Sequence, residues 1–313
     1  MTKCTPSFFI ASMLAFALHV APAQAQSRVF VAAQGSDGNP CTFALPCRTF
    51  QHAHDVVAAN GEIDVLDPAG YGALTISKAI SIQGHGFSGI SASGGNAITI
   101  NAGAGDNISL RGLLIDGVGT GGIGIAFNSG GSLNIQDGVI RNFINPGISF
   151  VPSASTPSTL FVTDTHISNL SGGPGFGINV APTGSGTVTG AFKRIVIEQI
   201  FAYGVAISSA SGTGSVSFTI SDSLITNSLI GINISAAAAP TTVTVEASSV
   251  VNSTNAGIAA TGSNAKLQIT KCTIAANVIG MGVVTGGSII SGGDNFVGAN
   301  GSDGAPTLTI GLK

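Results

Sequence analysis

Few residues in this chain have types and spacings that could do chemistry. Cys41 and Cys47 stand with five residues between them, close enough for a disulfide, a reactive thiol pair or half of a metal site. Asp137, Asp164, Arg194 and Asp222 recur at nearly regular intervals. If the fold stacks them, two neighbouring carboxylates could share a divalent cation or raise one another's pKa. His85 sits alone in the turn-like Gly84-His85-Gly86. Each of these readings depends on the elements that would bring the residues together.

Those elements show as a repeat. Seven segments align in one register: LRGLLID from Leu110, IQDGVIR from Ile135, VTDTHIS from Val162, FKRIVIE from Phe192, ISDSLIT from Ile220, VEASSVV from Val245 and ITKCTIA from Ile269. Their starts lie 24 to 30 residues apart, and their first and sixth positions are apolar in every row. A Gly-apolar pair follows each row: Gly122-Ile123, Gly147-Ile148, Gly177-Ile178, Gly204-Val205, Gly231-Ile232, Gly257-Ile258 and Gly280-Met281. No row carries a helical pattern, and short β-rich runs separated by Gly, Asn and Ser predict a parallel β-helix. Each repeat then makes one coil, and each strand pairs with its equivalent about 4.8 Å away. Glycine and asparagine are expected at corners that need positive φ. With less regular coils over 62–107, the rod should have roughly nine or ten coils and a length on the order of 45 Å.

Stacking turns the third position of the rows into a column of Gly112, Asp137, Asp164, Arg194, Asp222, Ala247 and Lys271. Its middle, Asp137, Asp164, Arg194 and Asp222, is the candidate ligand edge. The competing reading is that Asp at a corner caps the turn through its own backbone. A further outward column, from Asp116 and Arg141 to Ala275, reads as a solvated face in which Asp116 and Arg141 could pair.

Composition sets the context. The chain has 45 glycines, 8% charged residues, no Trp, two Tyr and a net charge of -3. There is no basic footprint, so nucleic acid is not an expected partner. An apolar run from Phe8 to Val20 followed by Ala-Pro-Ala-Gln-Ala predicts a signal peptide over residues 1–25, and no later run is long enough to span a bilayer. The product should be secreted or periplasmic, with Cys4 removed along with the leader. In an oxidising compartment the Cys41, Cys47 pair should close as a structural disulfide, since its spacing fits neither a redox C-x-x-C nor a zinc knuckle. Cys272 is then a buried, inert thiol.

The leader, the GSDGNPC loop, the PCRTFQHA helix start, the GYGALTISKAISI segment and the Asn- and Gly-cornered coils together resemble secreted right-handed parallel β-helix proteins of the pectate-lyase-like superfold. The likeness extends to a branch of bacterial exported proteins with this same opening and covers essentially the whole mature chain. It implies an all-β, single-stranded right-handed parallel β-helix, or solenoid, with a short N-terminal capping helix. The superfold hosts lyases, hydrolases, epimerases and adhesins, so it implies no single activity. Pectate lyases hold calcium and a proton-abstracting base at such an edge, which makes Ca²⁺ the ion that Asp137, Asp164 and Asp222 would suit. His85 resembles the GHG histidine of polygalacturonases, but here it stands after the first coils with no Asp-Asp pair in the chain, and a turn role is favoured.

The expected organisation is a signal peptide over 1–25, an N-terminal cap over 26–61, a parallel β-helix over 62–290 and an irregular C-terminal cap over 291–313 with a last strand in LTIGL. Within the N-terminal cap, Thr49 should cap a helix over 49–60 that Gly61 stops, closing an otherwise open strand edge. Glycan catalysis needs two carboxylates on one site, whereas the 14 acidic residues are scattered singly. Trp platforms are missing, and many of the 16 Phe residues should be interior. The favoured expectation is therefore a non-catalytic surface module that binds glycans or other cell-envelope components, with no cofactor. Its alternatives are a polysaccharide lyase or glycoside hydrolase acting on uronate polymers, and a self-associating structural or adhesive rod.

Overall fold

The computed structural model describes residues 26–209 and 211–311; the expected signal peptide lies outside them. The chain winds into a single-stranded right-handed parallel β-helix of about 9 turns. Every strand pairing is parallel and joins one coil to the next. Each regular coil has three faces. Face one comprises strands such as Ser132–Gln136, Ser158–Thr163 and Val188–Lys193, and face two comprises strands such as Val139–Phe143 and His166–Leu170. Face three comprises strands such as Ile148–Phe150 and Ile178–Val180.

The apolar columns of the repeat are the interior. Ile115, Ile140, Ile167, Ile197, Ile225, Val250 and Ile274 lie in successive register and are all buried. Face one contributes a stack of Ile135, Val162, Phe192, Ile220, Val245 and Ile269. Period-2 alternation sends these side chains inward and their neighbours outward.

The corners between faces one and two are turned by a single left-handed residue. Gly112, Asp137, Asp164, Arg194, Asp222, Ala247 and Lys271 have φ between 49° and 64°. A second left-handed column lies beyond the paired centre of face two at Asn142, Asn169, Gln199, Asn227, Asn252 and Ala276, and Asn accepts this backbone more readily than most residues. The Gly-apolar pairs have a different role from the one expected. Gly147, Gly177, Gly204, Gly231 and Gly257 are not at positive φ; each approaches the carbonyl of the equivalent glycine one coil on, as Gly231 does to Gly257 O, 2.6 Å from where a Cβ would stand. They are there for space between coils. The first pair is also corrected by two residues, since Ile148 registers with Ile125 and the Gly147 carbonyl stands against Gly124.

The N-terminal lid is a helix over Phe50–Val56, with Thr49 Oγ1 accepting from His52 N at 3.2 Å. It is shorter than the sequence suggests. Val57 leaves the helix because Val57–Val65 is a strand held between Gln26–Val31 and Ile80–Ser91, and β-branched residues favour that exchange. The first parallel pair therefore already lies within the segment read as cap. Phe50 and Ala53 are fully buried, and the Phe50 ring meets Tyr71 at 5.1 Å. Cys41 and Cys47 are joined, with Cα atoms 4.6 Å apart, and both are buried beside the Gln26–Val31 strand. Removing the link in a Cys41→Ala, Cys47→Ala chain should lower stability by about 2 kcal/mol through the loop entropy returned to the unfolded state. Urea unfolding of the two proteins checks this; equal midpoints would show that the lid is held by packing alone.

At the other end, Leu308–Thr309 pairs with Ile290 and Ser291. Cys272 is buried with Sγ 3.2 Å from Thr270 O, and burial pushes its thiol pKa up.

Candidate functional site

The candidate edge is the left-handed corner between faces one and two. Strand register places Asp137, Asp164, Arg194 and Asp222 on successive coils, and their backbone N–H groups donate to Thr163 O, Lys193 O, Ser221 O and Glu246 O. The corner backbone is thereby satisfied by the next coil. The aspartate side chains do not turn back to cap it; they reach sideways to cations. Arg194 forks onto Asp164 with both contacts at 2.6 Å, Arg111 Nε meets Asp137 Oδ2 at 3.1 Å, and Lys193 Nζ lies 3.8 Å from Asp222 Oδ2. Lys271 and Glu246 continue the ladder at 3.6 Å.

Arg111 and Lys193 occupy the row position just before the corner, in register with Gln83, Gln136, Thr163, Ser221 and Glu246. Sequence reasoning missed them because it followed single columns, whereas each pair joins one column to the next across a coil step. A cation beside or within one coil of each column aspartate was the available signal.

The hydrogen bond from Arg194 holds the Asp164 carboxyl below the usual carboxylate range. Proximity to other aspartates does not raise it. Because its pKa is lower folded than unfolded, the pair stabilises above the ordinary carboxylate value near ~4 and loses that contribution as pH falls through the folded value. Asp164→Asn should therefore flatten the acid-side fall of the melting temperature. An unchanged slope in melts between about pH 2 and 6 would count against the coupling.

Upstream, the ladder opens into a cleft of about 530 Å³ lined by Gln83, His85, Gly86, Arg111, Gly112 and Asp137. Here the structure joins two features that looked separate in sequence. His85 is at φ 56° in the turn, its Nε2 is 2.6 Å from Asp64 Oδ1, and its ring lies against Phe87. Gly112 admits this turn, since a Cβ there would stand 2.8 Å from His85 N and 2.7 Å from Gly86 N. The His85, Asp64 pair was missed because the two residues sit on neighbouring coils, 21 residues apart.

For cation binding, the carboxylates must converge. Among the described residues, the group of three or more His, Cys, Asp or Glu atoms that does so is Cys41, Cys47 and His52. Its two sulfurs are already joined. Asp137, Asp164 and Asp222 each face a cation instead, so calcium binding would first require those pairs to open.

Face one carries an outward surface beside the ladder. Its middle column runs Ser109, Asn134, Phe161, Ala191, Thr219, Thr244 and Gln268. Phe161 is 43% exposed on this polar ground, while Phe127, Phe143, Phe150 and Phe192 are fully buried. The interior therefore takes many of the phenylalanines, as expected, while Phe161 is left exposed on this face and Phe43, Phe87, Phe201 and Phe296 are exposed elsewhere. On face two, Arg141 Nε donates to Asp116 at 2.8 Å. Partial burial pushes the Asp116 pKa up, but hydrogen bonds from Asn142, Val118 and Arg141 outweigh it and leave the carboxyl below its usual value.

No family model matches the chain, and no curated protein matches it in sequence. Among solved structures it is similar to the crystal structure of pectate lyase Pel9A, with a TM-score of 0.62 and 13% identity over 84% of this chain and 74% of that one. The shared feature is the fold, a pectate-lyase-like parallel β-helix.

Proposed function

We propose that this protein is an exported polysaccharide-binding β-helix that holds glycan on face one without turning it over. The observation that carries the reading is an exposed Phe161 on a flat Thr-, Ser- and Asn-bearing face, bordered by a ladder whose aspartates are each paired with a cation. An aromatic ring offers a sugar an apolar surface, and the flanking hydroxyls and amides offer hydrogen bonds. Carboxylates engaged by Arg or Lys are poor bases and poor cation ligands. The fold shared with a pectate lyase supports polysaccharide as the ligand class, and the buried disulfide suits an oxidising compartment. In this reading the chain divides as leader 1–25, cap 26–61, β-helix 62–290 and C-terminal cap 291–313.

A second reading, a lyase or hydrolase on uronate polymers, is favoured by the His85, Asp64 pair in the cleft with Arg111 and Asp137. One experiment separates them. Affinity electrophoresis of the purified protein in polygalacturonate and neutral polysaccharide gels should show retardation that weakens about tenfold in Phe161→Ala. The same mixtures should release no unsaturated or reducing ends. Reproducible turnover lost in Arg194→Ala or His85→Ala would establish the enzyme reading and overturn ours.

A further inference from the structure

Face three carries a second feature unconnected with the ladder. A cleft of about 400 Å³ opens there, with Tyr203, Asn233, Ser235, Asn255 and Thr261 on its walls. Its floor is cut down to small side chains, since Ala259 and Gly282 follow Asn233 in register on the next two coils. Tyr203 is half-buried and held by Phe176, whose ring stacks on it at 5.2 Å and 14°. The phenol is thereby fixed as a rigid wall.

Two properties define what the cleft would accept. None of its lining residues is Asp, Glu, Lys, Arg or His, so it has no group to neutralise a charged ligand. The Tyr203 hydroxyl and the Asn233 and Asn255 amides make no hydrogen bond within the described residues, which leaves the donors and acceptors of all three available. A cleft with one ordered aromatic wall and a few convergent uncharged polar groups is a small-ligand site by its chemistry.

We infer that this cleft is a binding site for a neutral saccharide, with a pyranose ring laid on Tyr203 and its hydroxyls bonded by Asn233 and Asn255. A pyranose presents both an apolar C–H face and hydroxyls at its rim, which matches a ring beside free amides. The site is on a different face from Phe161 and does not depend on the function proposed above.

Purified protein titrated with cellohexaose, xylohexaose and mannohexaose tests this. The chain has no Trp and two Tyr, and Tyr71 is fully buried, so a saturable change in tyrosine emission reports on Tyr203. By calorimetry, Asn233→Ala and Tyr203→Ala should each weaken the bound hexasaccharide at least roughly tenfold. Tyr203→Phe, which keeps the stack and removes the hydroxyl, should fall between these and wild type. Asn233→Ala removes a partly exposed surface amide and should melt with the wild type, so its loss of binding is not a folding defect. Failure of all three hexasaccharides to bind, or binding that survives Tyr203→Ala and Asn233→Ala but is lost in Phe161→Ala, would overturn the assignment.

Discussion

Replacing Phe150 with alanine should destabilise the protein by about 3–5 kcal/mol, the range for deleting a buried aromatic ring. Phe150 is fully buried and stacks on Phe127 of the preceding coil at 4.3 Å and 16°. Its other neighbour in the column is the smaller Val180. The hole would be hard to close, because parallel backbone hydrogen bonds on either side fix the coil spacing. In a solenoid each coil contacts only its neighbours, so the defect should also weaken the coupling between the two parts of the rod. Urea unfolding followed by circular dichroism should show a lower midpoint, with a second transition if that coupling fails. Phe161→Ala is the matched control: the same deletion at an exposed position, with an expected change within about 0.5 kcal/mol. Equal losses in the two variants would mean that interior packing is not what holds the coils.

The contrast between Phe150 and Phe161 marks what could be read from the chain. A period of 24 to 30 residues with two invariably apolar columns has one economical solution, a stack of coils. Those columns proved to be the interior. The Cys41, Cys47 pair was legible because its spacing left few alternatives. What did not show in sequence depends on contacts between coils. Arg194 and Asp164 are 30 residues apart, and His85 and Asp64 are 21 apart; no local pattern says whether such residues pair or stand alone. The stacking of the corner column was therefore legible, but the pairing of its aspartates with cations was not. The helix end failed for a similar reason, since Val57 is claimed by strands on both sides, a tertiary demand that outweighs local helical periodicity. The glycine columns were found but misread. Their spacing is the same whether a glycine is needed for positive φ or for close approach, and only the neighbouring carbonyls distinguish the two.

Gly190→Leu puts that distinction to its strongest test. The inward column on face one reads Leu133, Leu160, Gly190, Phe218, Val243, Leu267 and Ile289, so a repeat-consensus argument would restore leucine at 190 and expect a gain. The structure predicts a loss of about 3 kcal/mol, at the upper end for overpacking. A Cβ on residue 190 would run into the Leu160 carbonyl oxygen and stand 2.6 Å from a ring carbon of Phe218. The ring of Phe218, which also meets Phe192 at 5.1 Å, occupies the room that the missing side chain leaves. Backbone cannot yield there without breaking the Leu160–Gly190 register. A Gly190→Leu, Phe218→Val chain, which returns the space, should recover part of the loss. Thermal melts of the single and double variants decide the matter: a single variant as stable as wild type would show that the glycine is an unfilled position, and no recovery in the double variant would place the strain in the backbone rather than against the ring.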